Sequence, residues 1–600
     1  MPHDFKVWAP NAKGIAVIVD GGNTPLGRGE RGWWTGRVES AGPGTDYAFS
    51  IDNGKPLPDP RSPWQPNGVN GPSRLVDHSR FAWTDRNWQA RPLSSAVIYE
   101  LHVGTFTRGG TFESAIEKLD YLVDLGITHI ELMPVAEFSG DWGWGYDGVD
   151  LYAPHHAYGT PDDLKRLVNA CHLQGLAVLL DVVYNHLGPA GNYLNDFGPY
   201  FTDAHRTPWG SAVNFDHKNS AEVRRFFLDN AAMWLRDYHL DGLRLDAVHA
   251  YHDSSAIHIL EQLATEVAAL SSQLGRHLVL IAESDLNDPR VVTSVEAGGL
   301  GVDAQWGDDF HHALHTVLTG ESTGYYRDFG SLSQLAKAIH QAYVYDGIYS
   351  EFRDRVHGKP ARGLSAHRFL AYAQNHDQIG NRACGERLSH LVSAERLKIA
   401  AAFVLTSPFV PMLFEGEEFA ASSPFLYFTQ HDDDELAHKV SEGRRCEFAA
   451  FGWDPSDVPD PQQQSTFQLS KLRWDEVAQE PHASLLAWHK KLIALRRSSP
   501  SLCDGAFDRT QVRFDEDARW LGVRRGGVEI TCNLAEKRGS VPITIDAVGT
   551  ISSADDFAIQ SGSVELPANS VVILLGEGEA SEDDRRQCRE HQLQAAAQAV

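Results

Sequence analysis

The segment DGLRLDAVHA (residues 241–250) sets a guanidinium and a carboxylate two positions apart in an apolar run. In a strand, alternate side chains share a face. Arg244 and Asp246 therefore point one way, and Leu243 and Leu245 the other. Similar groups close other apolar runs. Asp181, Asn185 and His186 end LAVLLDVVYNH, Glu283 and Asp285 follow LVLIA, Asn375, His376 and Asp377 end RFLAYAQNHD, and His249 follows Asp246. Any one of these alone is more often a turn former, a cap or a satisfied core residue. Together, at the ends of successive strands, they point to chemistry. Cleaving a glycosidic bond needs two carboxyls, one ionised to attack the anomeric carbon and one protonated for the leaving oxygen. Arg244 is expected to hold Asp246 in its charged form. Glu283, among apolar and acidic neighbours, is expected to keep its proton and act as the acid. Flat rings for sugar faces are available at Trp142, Trp144, Tyr146 and Tyr152 in DWGWGYDGVDLYAP, and at Trp209. Packing of the long loops is an equal alternative for any one of these rings.

These groups converge only if a scaffold aims strand ends at one spot. Runs 94–104, 127–135, 176–186, 241–250, 277–284, 301–306, 368–377 and 410–418 read as buried strands. Helical spacing lies between most of them, over 111–126, 161–175, 220–239, 254–270 and 393–404, with a closing helix over 484–499. Continuous apolar strands alternating with helices predict a parallel sheet covered on both sides. Eight such units predict an α/β fold of the (β/α)8 barrel type, whose C-terminal strand ends carry the site. A doubly wound open sheet is the other reading, weakened by the lack of a glycine-rich loop after the first strand. Short alternating strands over 1–90 predict an N-terminal β-sandwich, with the barrel over 91–505. A C-terminal β domain is predicted over 506–576, and the acidic, then Gln/Ala-rich tail 577–600 reads as disordered or a stray helix.

The chain has 600 residues and a net charge of −27, from 80 acidic against 53 basic residues. That balance argues against a nucleic-acid partner. The longest apolar stretch, IAAAFVLTSPFVPMLF (399–414), is too short to span a membrane and contains two prolines. MPHDFKVWAP lacks the pattern of a secretory signal, so a cytoplasmic protein is expected. The six cysteines are scattered, without the spacing of a metal site or a disulfide framework. No metal and no cofactor is called for.

DVVYNH, DGLRLDAVHA, IAES and QNHD occur in the order of four motifs of the α-amylase family of (β/α)8 glycosidases, and the chain resembles that family across its whole barrel. The resemblance implies a retaining double displacement on α-glucosidic bonds. It implies Asp246 as nucleophile, Glu283 as acid/base and Asp377 as the third carboxylate. It also implies Arg244, His186, His376 and Tyr146 around the −1 sugar. Asn185 matches a position that holds calcium in some amylases. LDAVHAYHD, AESDLNDPR, DAQWGDDFHHALH, NHDQIGNRA and PFLYFTQHDDDEL are similar to the trehalose-releasing branch of the family, and FKVWAPNA to its N-terminal sandwich. That likeness implies hydrolysis of the α-1,4 bond beside the terminal trehalose of maltooligosyl trehalose, with related α-glucans as partners. Segment 284–288 with Asp285, Trp209 and region 306–326 are the positions expected to select trehalose. Glu415 in LFEGEEF departs from the apolar or amide residue expected there. A glycogen-branching transferase, a general α-glucan hydrolase and a non-catalytic glucan-binding relative are the alternatives. The intact Asp246, Glu283 and Asp377 set speaks against the last.

Overall fold

The computed structural model describes residues 2–450, 458–581, 584–586 and 588. Eight parallel strands close a barrel in sequential order: β1 Ile98–Leu101, β2 His129–Leu132, β3 Ala177–Val182, β4 Gly242–Leu245, β5 Val279–Ala282, β6 Ala304–Trp306, β7 Phe369–Ala371 and β8 Val410–Phe414, with β8 returning to β1. The outer ring is α1 Leu119–Leu125, α2 Pro161–Leu173, α3 Ser220–Asp237, α4 Ile259–Leu274, α5 Asp308–Thr319, α6 Leu332–Gln341, α7 Ala394–Thr406 and α8 His482–Ser498.

Each boundary has a local cause. Thr160 caps α2 and Pro161 takes its first position, where a missing N–H costs nothing. Gly126 ends α1 at φ 97, a conformation that suits glycine. The helix expected over 111–126 is divided. A Thr111–Ser114 capping box starts a separate turn, Phe112–Ile116, and Lys118 leaves helical geometry before α1. The helix expected from 254 begins at Ile259, because Asp253 turns back to accept the Ile259 N–H at 2.6 Å. No α-helix joins β5 to β6; that connection holds one 3-10 turn, Val295–Ala297.

The inward file of the barrel is apolar at its base. Ile98, Leu179, Val279, Ile281, Ala304, Trp306, Leu370, Tyr372, Val410 and Met412 pack on one another. Toward the C-terminal end the same files turn polar, through Glu100, Glu131, Asp181, Arg244 and Glu283. Period-2 alternation thus converts Ile98–Glu100, Leu179–Asp181 and Ile281–Glu283 into a dry floor beneath a charged ring. Gly242 is required in this file, since a Cβ there would lie 2.5 Å from the Val279 carbonyl oxygen and 2.9 Å from Leu179.

Before the barrel, strands between His3 and Arg74 form a three-stranded and a five-stranded antiparallel sheet. After it, strands between Thr510 and Leu575 form sheets of five and three strands. The sequence reading omitted three of these, Gly539–Pro542, Gly549–Ser552 and Ala558–Gln560. It also omitted two hairpins at the barrel mouth, Phe201–Thr207 with Gly210–Val213 and Asp346–Ser350 with Arg355–Gly358. Of the tail expected from 577, residues 582–583, 587 and 589–600 lie outside the described residues. Among the described residues no helix is long and apolar enough to cross a membrane.

Candidate active site

Arg244, fully buried on β4, is the hub of the mouth. Its Nη1 donates to Asp181 Oδ2 at 2.7 Å and Asp246 Oδ1 at 2.9 Å, and its Nη2 donates to Glu283 Oε2 at 2.8 Å. The guanidinium lies 4.1 Å from the ring centre of Trp306, which backs it from β6. Arg244 favours the charged form of Asp246, as expected, but it is shared with two other carboxylates. Three carboxylates divide one cation. Burial raises the Asp246 carboxyl, Arg244 opposes it, and the carboxyl still rests above its ordinary value. Burial and Asp246 likewise hold Glu283 high against Arg244, and burial holds Asp181 high. Glu283 Oε2 accepts a second bond, from the Ala247 N–H at 2.8 Å. Its other oxygen is thus the one left to carry a proton. Asp246 is within hydrogen-bonding reach of Glu283.

Asp377 is placed by a helix start rather than a strand. Asn375 caps the short helix His376–Gly380, accepting the Asp377 and Gln378 N–H groups at 2.9 and 3.3 Å. This turn packs tightly, for a Cβ at Gly380 would fall 1.9 Å from Trp144. The Asp377 side chain stays about one-third exposed, 3.5 Å from His376 Nε2. His376 is buried, and its Nδ1 meets Glu100 of β1. Its Nε2 meets the Tyr146 hydroxyl at 2.8 Å, with the two rings stacked. Burial alone would lower this imidazole; Asp377 and Glu100 outweigh it and push it up to about 9. The Tyr146 hydroxyl donates to Asp181 Oδ2 at 2.5 Å, closing a ring back to Arg244.

His186 is buried under Trp209, the two rings parallel and 4.6 Å apart, and burial lowers it to about 4. Trp209 is half exposed at its hairpin tip. Asp285 stands at the rim, bound by Arg353 Nη1 at 2.8 Å, with His249 3.9 Å away. Tyr152 is not in this group. Its hydroxyl donates to the Phe226 carbonyl at 2.6 Å and accepts from Arg61 at 2.8 Å, so it packs α3 against the N-terminal region. Trp144 is also a packing residue, its Nε1 bound to the Leu426 carbonyl. Asn185 is buried with neither amide atom hydrogen-bonded. Glu415, the departure noted in sequence, accepts the His102 N–H at 3.0 Å and the Thr105 hydroxyl at 2.6 Å. It caps the turn Val103–Phe106 and does not bond to the carboxylates around Arg244; burial pushes it up to about 8.

Sequence reasoning missed Glu100 and Glu131, and it set Trp306 at the edge of the trehalose-selecting region 306–326 rather than behind Arg244. Glu131 is buried, neither of its oxygens is hydrogen-bonded, and burial with Glu100 and Asp181 nearby raises it far above the carboxylate range. A single acid inside an apolar strand, as in VIYEL and HIEL, was the available signal. The mouth therefore holds more acid than base. Such a set can shuttle a proton between paired carboxyls and stabilise positive charge on a sugar.

Residues 76–206 match the alpha amylase catalytic domain family. The chain is 48% identical to the malto-oligosyltrehalose trehalohydrolase of Rhizobium sp. (strain M-11), over 95% of this chain and 97% of that one. It is 50% identical to the protein of the same name from Arthrobacter ramosus, over 90% and 94%. The crystal structure of an assigned alpha amylase from Salmonella typhimurium superposes with a TM-score of 0.88 at 38% identity, over 96% and 98%. With about half of its residues shared along nearly the full length of these relatives, this chain belongs to the malto-oligosyltrehalose trehalohydrolase family, within the α-amylase group of glycoside hydrolases.

Proposed function

We propose that the protein hydrolyses the α-1,4 bond beside the terminal trehalose unit of maltooligosyl trehalose, in the cytoplasm, with retention at the anomeric carbon. The observation that carries the mechanism is the fork of Arg244, which holds Asp246 and Glu283 on one guanidinium at 2.9 and 2.8 Å. Carboxyls that share one guanidinium and lie within hydrogen-bonding reach of each other favour a covalent route over inversion, which needs them farther apart to admit a water. Asp246 attacks the anomeric carbon as Glu283 gives its proton to the departing oxygen. A glycosyl ester forms and the trehalose leaves. Glu283, now ionised, takes a proton from water, and the oxygen of that water displaces Asp246. Asp377 and His376 grip sugar hydroxyls, and the carboxylates of Asp377 and Asp181 favour a cationic ring in the transition state. Trp209 over His186 and Asp285 with Arg353 flank the mouth, where the trehalose end is read.

Product analysis on two substrates of equal length, maltohexaose and a chain ended in trehalose, tests this. Rapid release of free trehalose from the second, with slow cleavage of the first, is expected. Equal rates would make it a general α-glucanase. New α-1,6 branches with little reducing sugar would make it a transferase.

A further inference from the structure

Among the described residues two groups bring a carboxylate and two imidazoles within the reach of one ion: Glu137 with His155 and His156, and Asp216 with His205 and His217. They differ in what the carboxylate already does. Glu137 accepts the His156 N–H at 2.7 Å through one oxygen and meets the His156 ring Nδ1 at 2.7 Å through the other. Both oxygens are engaged. In the second group Ser254 donates its N–H and hydroxyl to Asp216 Oδ2, at 2.9 and 2.7 Å. Asp216 lies near the surface, yet its side chain is only 1% exposed and Oδ1 has no hydrogen-bond donor. A covered carboxylate oxygen without a donor is costly. What faces it is His217 Nδ1, 3.2 Å away, while His205 Nε2 stands 3.3 Å from Oδ2.

We propose that His205, Asp216 and His217 form a divalent transition-metal site of the class that takes Zn2+. Ligands about 2.0 Å from a tetrahedral ion lie about 3.3 Å from one another; each imidazole already stands that far from one oxygen of Asp216, and the three ligand atoms fall within 4.8 Å of one another, so small side-chain rotations close the set on an ion. The donors are two neutral imidazoles and one carboxylate, which suit Zn2+ or Co2+ rather than the hard cations Ca2+ and Mg2+. His205 and His217 are partly exposed, so an ion can reach the site from solvent. Ser254 orients the carboxylate as a supporting hydrogen-bond partner. A third imidazole, His252, packs nearly parallel to His205 with ring centres 5.2 Å apart. His205 belongs to the hairpin arm that turns through Trp209, and Ser254 to the segment after β4. An ion here ties the hairpin to the barrel and holds Trp209 over His186.

Full-length protein stripped with a chelator and dialysed is titrated with Zn2+ by calorimetry and with Co2+ by visible absorption. One saturable equivalent is expected, with Co2+ giving the intense bands of a four-coordinate site. His205→Gln and His217→Gln should each weaken it by at least about tenfold, while leaving the metal-free unfolding temperature unchanged. His156→Gln should bind as the wild type does. The proposal is overturned if the wild type takes up no equivalent, if the equivalent persists in both His205→Gln and His217→Gln, or if His156→Gln abolishes it.

Discussion

Strand β4 has a charged network at each end, and the two are built on opposite principles. At its N-terminal end Asp241 is buried among donors. The Trp88 Nε1 donates at 2.8 Å, the Val178 N–H at 2.9 Å and Arg276 at 3.3 Å, and His172 Nε2 lies 3.0 Å away. Asp85 joins from the far side of His172 and also meets His239, both at 2.8 Å. Burial would raise Asp241 and Asp85, but these partners outweigh it and hold both below the ordinary carboxylate range. At the C-terminal end one guanidinium faces three carboxylates, and all three rest above their ordinary values. The first network is saturated with donors and serves to hold the barrel shut. The second is short of positive charge, which a developing sugar cation can supply. A buried charge is therefore not a functional signal by itself; an unbalanced one is.

Two substitutions of identical chemistry, five residues apart, separate these ends. Asp246→Asn should reduce turnover by roughly four orders of magnitude and leave the unfolding temperature equal to or above wild type, because one of the competing negative charges is gone. Asp241→Asn should destabilise by about 3 kcal/mol, since it breaks a buried ion pair, while the folded fraction keeps its kcat/KM. Initial rates and calorimetric melting on the same samples decide it. A stable, active Asp241→Asn protein would erase the distinction.

The same contrast appears with pH. Asp181, Asp246 and Glu283 have raised folded values, so the folded state holds more protons than the unfolded chain above pH 3.8–4.5, where such carboxyls ordinarily titrate. Their contribution to stability is complete below that range and is lost as pH rises from it through their raised folded values. Asp241 and Asp85 have depressed folded values; their contribution is complete above the ordinary value of 3.8 and is lost as pH falls below it. Melting temperatures measured from pH 3 to pH 8 should show a shallower decline toward neutral pH in Asp246→Asn. In Asp241→Asn they should show a weaker loss at the acid end. Parallel curves for both variants and wild type would contradict this assignment.

The smallest effect is expected at the edge of the mouth. Trp209→Ala should raise KM a few-fold, the loss of about 0.5–1 kcal/mol of ring contact, with kcat little changed. It also uncovers His186, whose depressed value, caused by burial, should then climb toward 6.5 in an NMR titration. An unmoved His186 would mean that Trp209 does not shield it.

Local rules made the barrel readable, because strand runs and helix caps are written within a few residues. The positions of Asp246, Glu283 and Asp377 were readable for the same reason: each sits where an apolar run ends. The sharing of Arg244 was not, since it depends on β3, β4 and β5 closing side by side. Glu100 lies 276 residues from His376, so their pairing has no local trace. Tyr152 was drawn into the site by its neighbours in a loop rich in aromatics, yet the strand that carries it, Asp150–Pro154, faces α3. The histidines around Asp216 escaped notice because they come from three separate segments, 205, 216–217 and 252, with no motif spacing.

The missing helix between β5 and β6 bears on how this enzyme could be altered. Everywhere else around the ring, replacing a connection would strip an amphipathic helix from the sheet and expose the barrel wall. Between Glu283 and Asp303 no helix does this; the connection covers the wall with its own buried valines, Val291, Val292 and Val302. A loop grafted there must therefore bring its own apolar plug for the barrel wall, and what is free to vary without unsealing the sheet is the exposed rim around Asp285.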